Sequence, residues 1–234
     1  LLFRAWLNGN GGEAPTPMGL AVADMLAGHS LVEGILAGVI KRFRTNEGCH
    51  IETSLAEALL DFQFEVLTTY FNDGNRKPVR SKYNNAHAYL SAPYGIYQTR
   101  DGYVAIAMTP LPKLGELIDL EFLKNLHDQK IWFTERDEIK KKIGDWTVNQ
   151  STQEILNILE PADIWCSEVL DWESMLKHEG FKILDMTQRI KSLDGLDIKT
   201  LRCPIRVDGE IFKSALAAPK VGQDNEKIIK EMEL

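Results

Sequence analysis

Asp24 is the residue whose surroundings raise a chemical question. It lies inside Met18–Ile40, a stretch rich in Ala, Leu, Ile and Val. At helical spacing its neighbours are Leu20, Ala21, Ala27 and Gly28, none of which pairs with a carboxylate. Buried there, the carboxylate must reach a backbone donor, a group from elsewhere or a ligand. The plain alternative is a capping or surface position on an amphipathic helix. His29 and Glu33 follow five and nine residues later. At about 100° per residue neither shares Asp24's face, so an acid–base pair on this helix is a weak reading. A second polar cluster, Tyr83-Asn84-Asn85-Ala86-His87-Ala88-Tyr89, precedes Pro93. Polar aromatic loops carry binding more often than packing, and a linker is the bland alternative.

Other chemistries are absent from the chain. The five histidines show no HExxH or comparable spacing, so no metal is expected. There is no G-x-S-x-G elbow and no P-loop. The glycines of Asn8-Gly9-Asn10-Gly11-Gly12 are not spaced as GxGxxG and follow no apolar strand, so they read as a loop.

The elements that must position these residues are mixed α and β. Met18–Ile40 is expected as a buried soluble helix, or two helices broken at Gly28 or Gly34. Its length suits a membrane span, but Asp24, His29 and Glu33 oppose one: a central Asp costs about 2.5–3.5 kcal/mol. Lys41, Arg42 and Arg44 close it, with cations where the helix dipole favours them. Ser54-Leu55-Ala56-Glu57 has the form of a capping box opening a helix to about Phe71. Glu57, Asp61 and Glu65 then form a solvated acidic stripe. Tyr94–Met108 reads as a hairpin about Arg100-Asp101-Gly102. Charged-faced helices follow from Leu111 to His178, then short strands about Asp208-Gly209 and a terminal helix over Gln223–Met232.

The chain has 234 residues, a formal net charge of −7 and a pI near 5.3. Such an acidic balance, with no basic stripe, argues against nucleic acid and anionic membranes as partners. Three scattered cysteines, Cys49, Cys166 and Cys203, make no disulfide framework and point to a reducing, cytoplasmic setting. The sequence opens at Leu1 without Met, and a fragment or processed chain is expected.

Five segments, in order, resemble the family III CoA-transferases, the CaiB/BaiF type that includes formyl-CoA transferases. They are Met18–Gly28 with Gly34-Ile35-Leu36-Ala37-Gly38, Gly48–Glu57, Ala92–Tyr97 with Asp101–Ala107, Ala162–Cys166, and Ala218–Gly222. The resemblance runs from about Gly9 to the C-terminus and implies an α/β fold. The chain would be its C-terminal part, belonging to a Rossmann-like large domain and a small α+β domain in an interlaced dimer. Residues 1–80 would belong to the large, CoA-binding domain, 81–200 to the small domain, and 201–234 would return to the large one.

By the same resemblance Asp24 is the catalytic nucleophile. It would move CoA from an acyl-CoA thioester to a carboxylic acid through an aspartyl anhydride. Asn84, Asn85 and His87 would contact substrate. Coenzyme A enters as the acyl-CoA substrate, and no metal is implied. Members carry a long further segment before the aspartate that holds most CoA contacts. A homodimer, or a partner chain supplying that half, is therefore expected. Two other readings stand beside this one: an α-methylacyl-CoA racemase-like enzyme, and a non-catalytic or truncated subunit. Racemases of this fold tend to place a glycine cluster after the aspartate, where this chain has Met25-Leu26-Ala27.

Overall fold

A computed structural model describes residues 6–192, 194–214 and 216–232. The chain divides into two compact units, one ending at Val169 and the other starting at Leu170.

The first unit opens with a loop closed around a buried guanidinium. Arg80 donates to the carbonyls of Asn8 and Glu13, and Gly11 N–H donates to Ser81 O at 2.7 Å. A side chain on Gly11 would stand 2.5 Å from the Arg80 carbonyl, so only glycine allows this approach. Helix α1 then runs unbroken over Val22–Thr45. Gly28 and Gly34 do not interrupt it, because Gly costs only about 1 kcal/mol in a helix interior. Gly34 and Gly38 instead form a groove for the extended 49–51 segment: added side chains would meet Ile51 at 2.7 Å and Cys49 Sγ at 2.9 Å. The expected burial of this helix is not found; it contains no buried residue.

Helices α2 (Leu55–Asp61) and α3 (Phe64–Asn72) replace the single helix expected from Ser54. Ser54 does cap α2, its Oγ accepting from Glu57 N–H at 3.1 Å. Glu57's carboxylate accepts the Ser54 hydroxyl at 2.6 Å, where a full capping box would engage the N-cap amide. The break falls at the buried Gln63, whose Nε2 donates to Leu59 O. Glu57, Asp61 and Glu65 are all exposed, as a solvated acidic stripe requires.

The hairpin forms as the turn residues require. Strands β1 (Gly95–Gln98) and β2 (Tyr103–Ile106) pair antiparallel, with Gly95 opposite Ile106 and Tyr97 opposite Val104. Tyr97, Val104 and Ile106 point inward and are fully or almost fully buried. Five helices pack there: α4 (Leu111–Leu117), α5 (Glu121–Lys124), α6 (Gln129–Thr134), α7 (Arg136–Thr147) and α8 (Thr152–Leu159). Leu111, Leu114, Leu123, Ile139, Ile143, Ile155 and Leu159 are wholly excluded from solvent and complete this core. Strand β3 (Cys166–Glu168) joins the free edge of β2. The hairpin turn also starts a helix: Asp101 accepts from Thr152 N–H (2.8 Å) and Thr152 Oγ (3.0 Å). The Thr152 amide is the main reason its carboxyl lies below the usual range.

The second unit holds α9 (Trp172–Lys177), α10 (Glu179–Leu184), the hairpin β4–β5 (Thr187–Lys191, Asp197–Leu201), the short pair β6–β7 (Arg206–Val207, Glu210–Ile211) and α11 (Asn225–Glu231). The strands about Asp208-Gly209 and the terminal helix fall where the sequence places them. The β4–β5 hairpin was not anticipated. Buried Arg202 sits at its end and donates to Leu184 O and Asp185 O, the carbonyls that α10 leaves unpaired.

Candidate functional site

Asp24 occupies the first turn of α1 and is exposed. Of the two readings of Asp24, a surface position is the one found, because its whole helix lies open. The helix starts at Ala21 without a side-chain cap, and Met25 N–H makes the first helical bond, to Ala21 O. Among the described residues, the Ala23 and Asp24 amides donate to no acceptor. The turn thus presents free N–H groups, and the positive end of the helix dipole, beside a carboxylate. His29 is engaged locally: its Nδ1 bonds Met25 O at 2.7 Å.

The 83–89 loop is built differently. Asn84 adopts the left-handed conformation (φ 48°). Its carbonyl lies against Gly95, where a side chain would approach to 2.4 Å. Asn85 is a structural hub. Its Oδ1 accepts from Ser81 N–H, its Nδ2 donates to Leu7 O, and its own N–H donates to Asn10 Oδ1. His87 is half-buried. Its Nδ1 accepts Tyr89 N–H at 3.2 Å, which leaves the proton on Nε2, 3.7 Å from Glu65 Oε2. Both line a cleft of about 290 Å³ with Leu7, Phe62 and Val66. On the other side, Ala86 borders a larger groove of about 620 Å³ with Tyr94, Ile96, Trp165 and Cys166. Desolvation raises the Cys166 thiol's pKa, with Glu160 adding to it.

The structure brings His87 to Glu65 and Asn85 to Asn10. It joins neither to Asp24 by hydrogen bond or ion pair among the described residues. Sequence reading missed the residues that hold the loop. Arg136 donates to Val79 O and Ala88 O. Asp137 accepts from Ser81 Oγ (2.7 Å) and Lys82 N–H (2.8 Å). Lys140 Nζ donates to Asn84 O at 3.2 Å. All three lie on α7, within a charged run that reads as a solvated face. Among the described residues no group of three or more His, Cys, Asp or Glu is placed to hold a metal.

Comparison with known proteins defines the class. The sequence profile of CoA-transferase family III matches residues 4–225, and the chain belongs to that family. Among its relatives, the succinate–glutarate CoA-transferase of Agrobacterium fabrum is 26% identical over 229 residues, covering 94% of this chain and 55% of that protein. The succinyl-CoA:mesaconate CoA-transferase of Haloarcula hispanica is 28% identical over 160 residues, 66% of this chain and 39% of that protein. A CaiB/BaiF family protein from Brucella suis superposes with TM-score 0.71 at 22% identity, covering 97% of this chain and 59% of that one. A mutant of Rv3272 from Mycobacterium tuberculosis gives TM-score 0.75 at 18% identity, covering 94% and 58%. The fold is therefore that of the CaiB/BaiF proteins, and the chain spans little more than half the length of most relatives it matches.

Proposed function

We propose that this chain is the Asp24-bearing part of a CoA-transferase that moves CoA from an acyl-CoA thioester to a carboxylic acid. Its membership of CoA-transferase family III, with a carboxylate on an uncapped first helical turn, carries the reading. The Asp24 carboxylate attacks the thioester carbonyl and expels CoA thiolate, leaving an acyl-aspartyl anhydride. The thiolate attacks the Asp24 carbonyl and releases the donor acid, giving an aspartyl-CoA thioester. The incoming carboxylate repeats the first step on that thioester. The thiolate then attacks the new acyl group, yielding the new acyl-CoA and free Asp24. The Ala23 and Asp24 amides are suited to receive the oxyanions of these steps. Small dicarboxylates, as in the names of the Agrobacterium and Haloarcula relatives, are the substrate class. Asn84, Asn85 and His87 shape the site from a small domain over residues 81–200 of this chain.

The test is CoA exchange from succinyl-CoA to a panel of free carboxylates. Asp24→Ala is expected to reduce exchange to background while leaving stability within about 0.5 kcal/mol, because the residue is exposed. Exchange by Asp24→Ala equal to that of the unsubstituted protein would remove Asp24 from the reaction.

A further inference from the structure

We infer that Lys140 is a positioning residue for the reaction proposed above, holding the Asn84–His87 loop by its main chain. The inference rests on that functional reading for its catalytic consequence, but not for its structural one.

Lys140 is 1% exposed, an unusual place for an ammonium group. Its neighbours do little to offset the burial. Among the described residues, Asn84 O is the one acceptor it reaches, at 3.2 Å. The adjacent Arg136 repels it, and Asp137, which attracts it, is committed to Ser81 and Lys82. Packing alone does not explain a lysine here, because a methionine fills similar space without a charge to desolvate. What methionine cannot do is donate a hydrogen bond.

The bond goes to a strained point. Asn84 sits in the left-handed region, where non-glycine residues are uncommon. Its carbonyl is pressed against the Gly95 backbone on one side and drawn toward Lys140 on the other. Strain of this kind persists only where the surroundings over-determine it. Arg136 fixes the loop's two ends through Val79 O and Ala88 O, and Asp137 fixes Ser81 and Lys82. Lys140 supplies the hold in the middle, immediately before Asn85 and His87. Helix α7 thus holds the loop at Val79, Ser81, Lys82, Asn84 and Ala88, the points that flank Asn85 and His87.

The experiment compares Lys140→Met and Lys140→Gln in the natural protein. Amide hydrogen exchange over residues 81–90, thermal stability and steady-state transfer from succinyl-CoA are the three readouts. For Lys140→Met, exchange in 81–90 accelerates while the core strands stay protected. The melting temperature holds or rises, and kcat falls on the order of 10–100-fold, as a small displacement of positioning groups produces. Lys140→Gln, which keeps an N–H donor, recovers part of the loop protection and part of the rate.

Unchanged loop exchange in Lys140→Met overturns the inference. So does unfolding of that variant, or an equal loss in both variants with lowered stability, since either makes Lys140 a plain core residue. If the unsubstituted protein transfers CoA to no carboxylate, the functional reading fails by itself, and loop exchange still decides whether Lys140 holds Asn84.

Discussion

Single atoms decide the geometry around Asn84. A methyl group on Gly95 would need to stand 2.4 Å from the Asn84 carbonyl oxygen, closer than any real contact. Backbone is the obstruction, so no side chain can move aside. Gly95→Ala is expected to cost about 1–3 kcal/mol, as overpacking does. In urea this appears as a lower midpoint at unchanged slope. Lys140 supplies a pH effect on the same contact. Burial, reinforced by Arg136 and opposed by Asp137, lowers its pKa from 10.5 to about 8. Between those values the unfolded chain binds a proton that the folded chain lacks, so this group makes stability rise with pH across that window. Below about pH 8 both states are protonated and burial of the charge is a constant cost. Urea titrations from about pH 8 to about 10.5 should therefore show a stability gain in the unsubstituted protein that is absent from Lys140→Met. The same deprotonation replaces a charged donor to Asn84 O with a weaker neutral one, so the loop loosens as the whole chain gains stability.

Elements differ in how openly the sequence declares them. The β1–β2 hairpin was legible because Asp101-Gly102 supplies turn chemistry between alternating apolar runs. The helix carrying Asp24 was legible in outline, although it runs unbroken over Val22–Thr45 rather than Met18–Ile40, and its burial was not legible: apolar composition does not say whether a covering surface is present. The β4–β5 hairpin escaped because its one apolar pair in register is Ile190 opposite Ile198, with Thr–Leu, Gln–Thr, Arg–Lys and Lys–Asp at the other positions. The α7 face escaped for the opposite reason. Arg136 and Lys140 sit in a run of charges, and only the carbonyls of a loop some fifty residues earlier make them interior. Residue types and the family resemblance single out Asp24, Asn84, Asn85 and His87 as candidates, but they do not reveal the unlike environments of these residues, one open turn and one braced loop. A cap tests this scale directly. At the start of α8, Ser151 Oγ accepts from Glu154 N–H while Glu154's carboxylate accepts from Ser151 N–H, a complete capping box. The same carboxylate meets Arg100 at 3.1 Å beyond the hairpin turn. Ser151→Ala is expected to cost about 1 kcal/mol, read as a lower melting temperature. Hydrogen exchange should localise the loosening to α8 and the turn.

For the whole molecule, the dominant unbalanced term is the apolar surface of α1. Met25, Val32, Leu36, Ile40 and Phe43 are each more than half exposed, and no residue of the helix is buried. Contiguous apolar surface of this extent marks an interaction site in a soluble protein. By length and composition the helix is also apolar enough to cross a membrane. Against a span, Asp24, His29 and Glu33 lie within it. A polypeptide covering fits better. Covering by protein predicts that these 234 residues alone self-associate in aqueous buffer through α1. Sedimentation velocity at micromolar concentration should give species larger than a monomer, and Leu36→Lys with Ile40→Lys should shift them to monomer without lowering the melting temperature, since both side chains are exposed before substitution. A monomer that leaves buffer only for lipid vesicles would instead assign the face to a membrane, and a monomer indifferent to both would leave the apolar face with no binding role.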